Sequence, residues 1–279
     1  MLELLVEKAK NGNADALDEV VRHLTEPLYR LALRMLFHPQ DAEDALQEIL
    51  IKIVTHLGNF EGRSAFKTYA YRIAVNHLRT ARCRKREFPV LTFDEMAERI
   101  VDHSAANWDE HLSEAQQHLF VRELLIGCLQ ALLLGLDREL RLAYILGEIF
   151  DLTGAQAASI LGIKPGTFRK RLSRARNRIR KFMIQHCALV HTENRCHCDR
   201  QAAHFSRKGQ MDLKHLTFAK RPCTGDLDKQ LTRQMAELEE LRRVRNLFRN
   251  SPDLEAPDQI VTKVRDILSS GKYEILRLS

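Results

Sequence analysis

Two sets of side chains in this 279-residue sequence can do chemistry. The first is a run of positive charge: from Lys164 to Lys181 there are nine Lys or Arg and no acid. Groups at that density attract phosphate, and the arginine fork also fits the O6 and N7 edge of guanine. The second is a run of sulfur. Cys187, Cys196, Cys198 and Cys223 share one segment with His186, His191, His197 and His204. Thiolates in that density suit zinc or another thiophilic metal. A thiol redox switch is a second use for them, and buried structural cysteine a third. Cys83 and Cys128 lie apart, inside helical patterns, and read as ordinary core residues. There is no Gly-rich phosphate loop and no His-Glu-x-x-His, so the chain reads as no enzyme, with no required cofactor.

The basic run needs an element to present it. Thr153 with Gln156 three residues on has the spacing of a capping box. Ala157, Ile160 and Leu161 give the helix that follows an apolar face, and Gly162 stops it. Pro165 suits the first position of a second helix, where a missing N–H does no harm. There Phe168, Leu172, Ala175, Ile179 and Phe182 step by four and three along one stripe. Asp151–Phe182 is thus a helix-turn-helix whose second helix is basic. Its apolar stripe anchors it, and the arginines project from the other side. The bland alternative is a solvated basic helix, but such faces usually interleave Glu with Lys.

The rest of the chain is nearly balanced, since the net charge is +7 and the helix alone carries nine positive groups. Apolar content of 44% fits a globular protein. Strand-like alternation is absent over any useful length, so the fold class reads as all-α. One helix covers 14–36, divided or kinked at Pro27. Another begins at Asp41, with Ala42, Ala45, Leu46, Ile49, Ile53 and Leu57 inward and Gln47 and Glu48 outward among acids. A third is capped by Ser64; Phe66, Tyr69, Ile73 and His77 recur along it before the basic run Arg79, Arg82, Arg84, Lys85, Arg86. Its aromatics either stack on exposed bases or fill a core. The N-terminus shows no signal-peptide pattern, and the leucine-rich 119–136 reads as too short and polar to span a membrane. A cytoplasmic protein with no membrane insertion is expected.

DAEDALQEILIKIVTHLGNFEGRSAFKTYAYRIAVNHLRTARCRKR resembles region 2 of a bacterial sigma-70-family factor of the extracytoplasmic function (ECF) group. The helix-turn-helix, with LGLDRELRLAYILGEIFDLT before it, resembles region 4 of the same group. The two resemblances fall in the family's order and span roughly 2–183. They imply a factor that takes core RNA polymerase to promoter DNA and helps melt it, with an anti-sigma factor as a further possible partner. By resemblance, Asp41, Asp44, Gln47 and Glu48 contact polymerase. Phe60, Ser64, Phe66 and Asn76, followed by Arg79 and Arg82, face the −10 element, with Asn76 bonding an extruded base. Arg169, Lys170, Ser173 and Arg174 fall on the positions that read the −35 element, while Lys164, Thr167, Arg171 and Arg178 suit its phosphates. Tyr69-Ala70 stands where the family usually has Trp-Leu, and Thr153-Gly154 where it has Ser-Tyr.

This divides the chain into region 2 at 1–86, a linker at 87–115, region 4 at 116–184, a cysteine-rich segment at 185–225 and a helical extension at 226–279. The linker has room for one short helix. The metal reading of the cysteines takes Cys187, Cys196, Cys198 and Cys223 as ligands. The competing functional reading is a helix-turn-helix regulator that works as a metal or redox sensor without joining polymerase.

Overall fold

The computed structural model describes residues 2–81, 92–100, 107–219, 244–245, 247–249, 251, 255–257 and 259–269. Among them the secondary structure is helical; the β-type pairing is a single isolated bridge between Cys187 and Cys196. Two compact units form. One gathers Met1–Arg86, Leu152–Arg169 and Glu255–Ser279, the other Glu87–Asp151 and Lys170–Leu254.

The first unit is built on α1 (Leu2–Lys10), α2 (Ala14–Leu36), α3 (Pro39–Thr55) and α4 (Phe66–Thr80). Asn13 caps α2 by accepting the Ala16 N–H at 2.8 Å. Pro27 lies within α2 without dividing it into two helices. Leu24, Leu28 and Leu31 of α2 are buried with Leu46, Ile49 and Ile53 of α3, and α2 packs along α3. Burial of each such side chain contributes roughly 1.5–3 kcal/mol. Ser64 does not cap α4: the helix starts at Phe66, with Ala65 at the N-cap and no side-chain cap. α8 (Gly154–Leu161) packs on α4, and α11 (Gln259–Ser269) on α2 and α3 through the buried Ile260 and Val264. Arg265 pairs with Asp18, and Glu26 accepts the Ala256 N–H at 3.0 Å.

The second unit is organised on α6 (Glu114–Leu134), which a Ser113–Gln116 capping box opens. α6 is long and apolar enough to cross a membrane by length and composition, which corrects the reading of that stretch as too short. Here it is packed: Phe120, Ile126, Leu129, Leu132 and Leu133 are buried, and α10 (Cys198–Arg207) lies against it. The Glu123 carboxylate accepts the N–H groups of Thr217, Phe218 and Ala219 at 2.7–2.8 Å, pinning part of the chain beyond region 4 to α6. α7 (Arg138–Tyr144) follows and continues as a π-turn over Ile145–Ile149. The linker does hold a short helix, α5 (Phe93–Glu98).

Candidate nucleic-acid interface

The helix-turn-helix forms as its sequence dictates. Thr153 Oγ1 accepts the Gln156 N–H, Gln156 Oε1 accepts the Thr153 N–H, and the reciprocal box opens α8. Gly162 ends it at φ 66°, a left-handed conformation that a side chain would strain. α9 (Pro165–His186) begins at the proline. Phe168, Leu172, Ala175, Ile179 and Phe182 are all buried, so the apolar stripe is an anchor.

The opposite side of α9 is polar and open. Lys164, Thr167, Arg169, Lys170, Ser173 and Arg174 are exposed. Two other basic residues are already engaged: Arg171 pairs with Glu139, and Arg178 Nη1 lies 3.7 Å from Asp137. Arg176 is held by Glu148, whose side chain is buried. The sequence offered no sign of these pairs, because Asp137, Glu139 and Glu148 lie far away in the chain.

In the other candidate region the placement is more divided. Phe66 is fully buried and Phe60 nearly so; with Tyr69 they form an aromatic cluster with ring centroids 5.1–6.0 Å apart. The reading of Phe60 and Phe66 as pocket residues is corrected here, since both rings are core. Asn76 is exposed and Ser64 half-buried. Arg79 donates to Asn76 Oδ1 at 3.2 Å and to the Leu161 carbonyl at 3.0 Å, while Arg72 donates to the Ser159 carbonyl at 3.0 Å. Both arginines therefore bind the negative end of α8. Arg82 lies outside the described residues.

On α3, Glu48 is exposed, Asp44 and Gln47 are half-buried, and Asp41 is buried with 7% of its surface accessible. Asp41 is thus corrected from an outward contact to a buried first-turn acid. His77 Nδ1 lies 2.8 Å from Lys52 Nζ, and its Nε2 is 3.9 Å from Glu48. Burial lowers the His77 pKa, Lys52 lowers it further, and Glu48 opposes them.

Three of the four cysteines read as ligands from the sequence converge. Cys187, Cys196 and Cys198 line one cavity together with Cys128 of α6, while Cys223 lies outside the described residues. Cys128 was missed because its contact is long-range. The signal available was its place on one helical stripe with Leu125, Leu129 and Leu132, all of which line the same cavity.

An all-helical chain with a capped helix-turn-helix and an arginine-lined second helix defines the class. Residues 20–87 match the model of sigma-70 region 2, and residues 126–179 that of sigma-70 region 4. The chain is 31% identical over 183 residues to the RNA polymerase sigma-H factor of Pseudomonas aeruginosa, covering 64% of this chain and 92% of that one. It is 30% identical over 183 residues to the ECF RNA polymerase sigma factor SigW of Bacillus subtilis, covering 65% and 96%. To the ECF RNA polymerase sigma-E factor of Escherichia coli it is 29% identical over 177 residues, covering 63% and 91%. The chain belongs to the sigma-70 family of RNA polymerase sigma factors, in its ECF group. Neither family model extends past residue 179.

Proposed function

We propose that this sigma factor joins core RNA polymerase through the open edge of α3, reads the −35 element with α9 and engages the −10 element with α4 and the loop before it. The observation that carries the reading is the division of α9 into a buried apolar stripe and an exposed basic face, in a chain whose residues 20–87 match region 2. Arg169 and Arg174 suit guanine edges; Lys164, Thr167, Lys170 and Ser173 suit phosphates and neighbouring bases. Arg171 and Arg178 reach phosphate only by leaving Glu139 and Asp137. On α3 the groups that reach the surface are Asp44, Gln47 and Glu48. Ser64 and Asn76 are the polar groups for an opened −10 strand, and Arg79 joins them once it releases Leu161. Exposed Asn76 has the amide that can pair with an extruded base.

The role is that of a specificity subunit and not an enzyme, carried out in the cytoplasm, with an anti-sigma protein as a further partner. A stand-alone operator-binding regulator would share the helix-turn-helix but has no use for region 2, so the match over residues 20–87 weighs against it. Footprinting with and without core polymerase tests the proposal. Protection at two promoter elements only in the presence of polymerase is expected; strong protection of one operator by the chain alone contradicts it.

A further inference from the structure

We propose that Cys128, Cys187, Cys196 and Cys198 are the ligands of a thiophilic dication of the Zn2+ class, with Cys128 in place of Cys223 closing the set. The four come from three pieces of chain: α6, the turn after α9, and the start of α10. All four line one cavity of about 170 Å³ whose remaining walls include Leu125, Leu129, Leu132, Phe182 and Met183. Cys128 is exposed, and it is this cavity that its side chain faces. Arg99 and His186 also border this mainly apolar cavity, and its four sulfurs match the donor set of a closed structural zinc site.

The backbone that carries three of the sulfurs is already fixed. Cys187 and Cys196 form the isolated parallel bridge, with the Ala188 N–H donating to the Cys196 carbonyl at 3.1 Å. Asn194 Nδ2 donates to the carbonyls of Ile184 and Cys187 at 2.8 and 3.0 Å, tying the turn to the end of α9. The Val190 N–H donates to the Cys187 carbonyl at 3.1 Å, closing the turn that carries the sulfur. Among the described residues no group of three His, Cys, Asp or Glu is already drawn together as a metal shell. Loading therefore draws together sulfurs that already line the cavity, and each thiol gives its proton to solvent as its sulfur bonds the metal.

A redox pair is the weaker use of the same groups: a disulfide would join two of the four sulfurs that line the cavity and leave the other two without a role. Cys128 lies within the span that matches region 4, and the other three lie past its end. One metal would thus tie the extension to region 4. That consequence rests on the sigma-factor reading; the ligand set does not.

The test uses the full chain, stripped of metal under reducing conditions and titrated with Zn2+ against a chromophoric chelator, with Co2+ as the spectroscopic stand-in. Equimolar binding and a tetrahedral thiolate Co2+ spectrum are expected. Cys128→Ser should weaken Zn2+ binding by at least about 100-fold, more than the loss of an outer-shell partner, while Cys223→Ser should leave it unchanged. Cys128→His, which keeps a ligand and so guards against simple misfolding, should still bind Co2+ but with about a quarter of the thiolate-to-metal absorbance lost. The assignment is overturned if Cys223→Ser and not Cys128→Ser weakens binding, or if no tetrahedral spectrum develops. It is overturned equally if a Cys187–Cys196 disulfide forms in air as fast with Zn2+ present as without it. These readouts involve no polymerase, so their failure leaves the proposed function standing.

Discussion

α9 and the α3–α4 pair are both amphipathic, and the residues expected to act on DNA or polymerase fare differently on each. Along α9 the long stripe ending at Phe182 is core and seven of the eight expected −35 residues are exposed, Arg171 being half-buried. On α3, α4 and the loop between them, Asp41, Phe60 and Phe66 turn inward, leaving Asp44, Gln47, Glu48, Ser64, Asn76 and Arg79. A charged helix faces water unless acids far away in the chain engage it, as Glu139 engages Arg171. Aromatic rings have no such default, since they gain more from burial than any other side chain. Composition therefore predicts the outward face of α9 well and that of α4 poorly.

The contrast sets the expected size of each substitution. Phe66→Ala removes a fully buried ring from the aromatic cluster and should cost about 3–5 kcal/mol of stability, read by denaturant unfolding. A loss below about 0.5 kcal/mol, typical of surface changes, would return Phe66 to the DNA-facing set. Arg174→Ala and Arg169→Ala should do the reverse. Stability should hold, while discrimination between the preferred −35 sequence and its guanine-substituted variants falls by about 1–3 kcal/mol for each. Equal losses on every sequence would make them phosphate contacts. Thr153→Ala breaks the box that sets the angle of α8 and should cost about 1 kcal/mol, seen as a lower melting temperature.

The smallest effect is one of pH. Because the folded state holds His77 below its ordinary pKa of 6.5, the unfolded chain binds that proton more readily. The stability associated with a neutral His77 is then complete above about pH 6.5 and declines as pH falls below it toward the folded-state value. The acid side of a melting-temperature profile should be shallower in His77→Gln. An unchanged slope would remove His77 from the account of how α3 and α4 pack.

How much was legible in the sequence follows the range of the interactions. The box at Thr153–Gln156, the stop at Gly162 and the start at Pro165 are local signals, and α8 and α9 begin and end where they indicate. α2 likewise spans the stretch its apolar period marks. Ser64 looked like a cap because capping residues are common before helices, yet the chain enters α4 one residue later, with no side chain reaching back. The grip of Arg72 and Arg79 on α8, and of Glu123 on Thr217–Ala219, joins residues that no spacing rule connects. Cys128 belongs to the same kind. A cysteine on a leucine stripe is ordinary until the fold brings three more sulfurs to the same cavity.

Run-off transcription with purified core polymerase decides the matter. A promoter carrying both elements should yield a discrete transcript that depends on this protein, falls with Arg174→Ala and falls with a charge reversal at the exposed Glu48. Sequence-specific DNA binding with no transcript at any promoter would contradict the account and make the chain a regulator that works without polymerase.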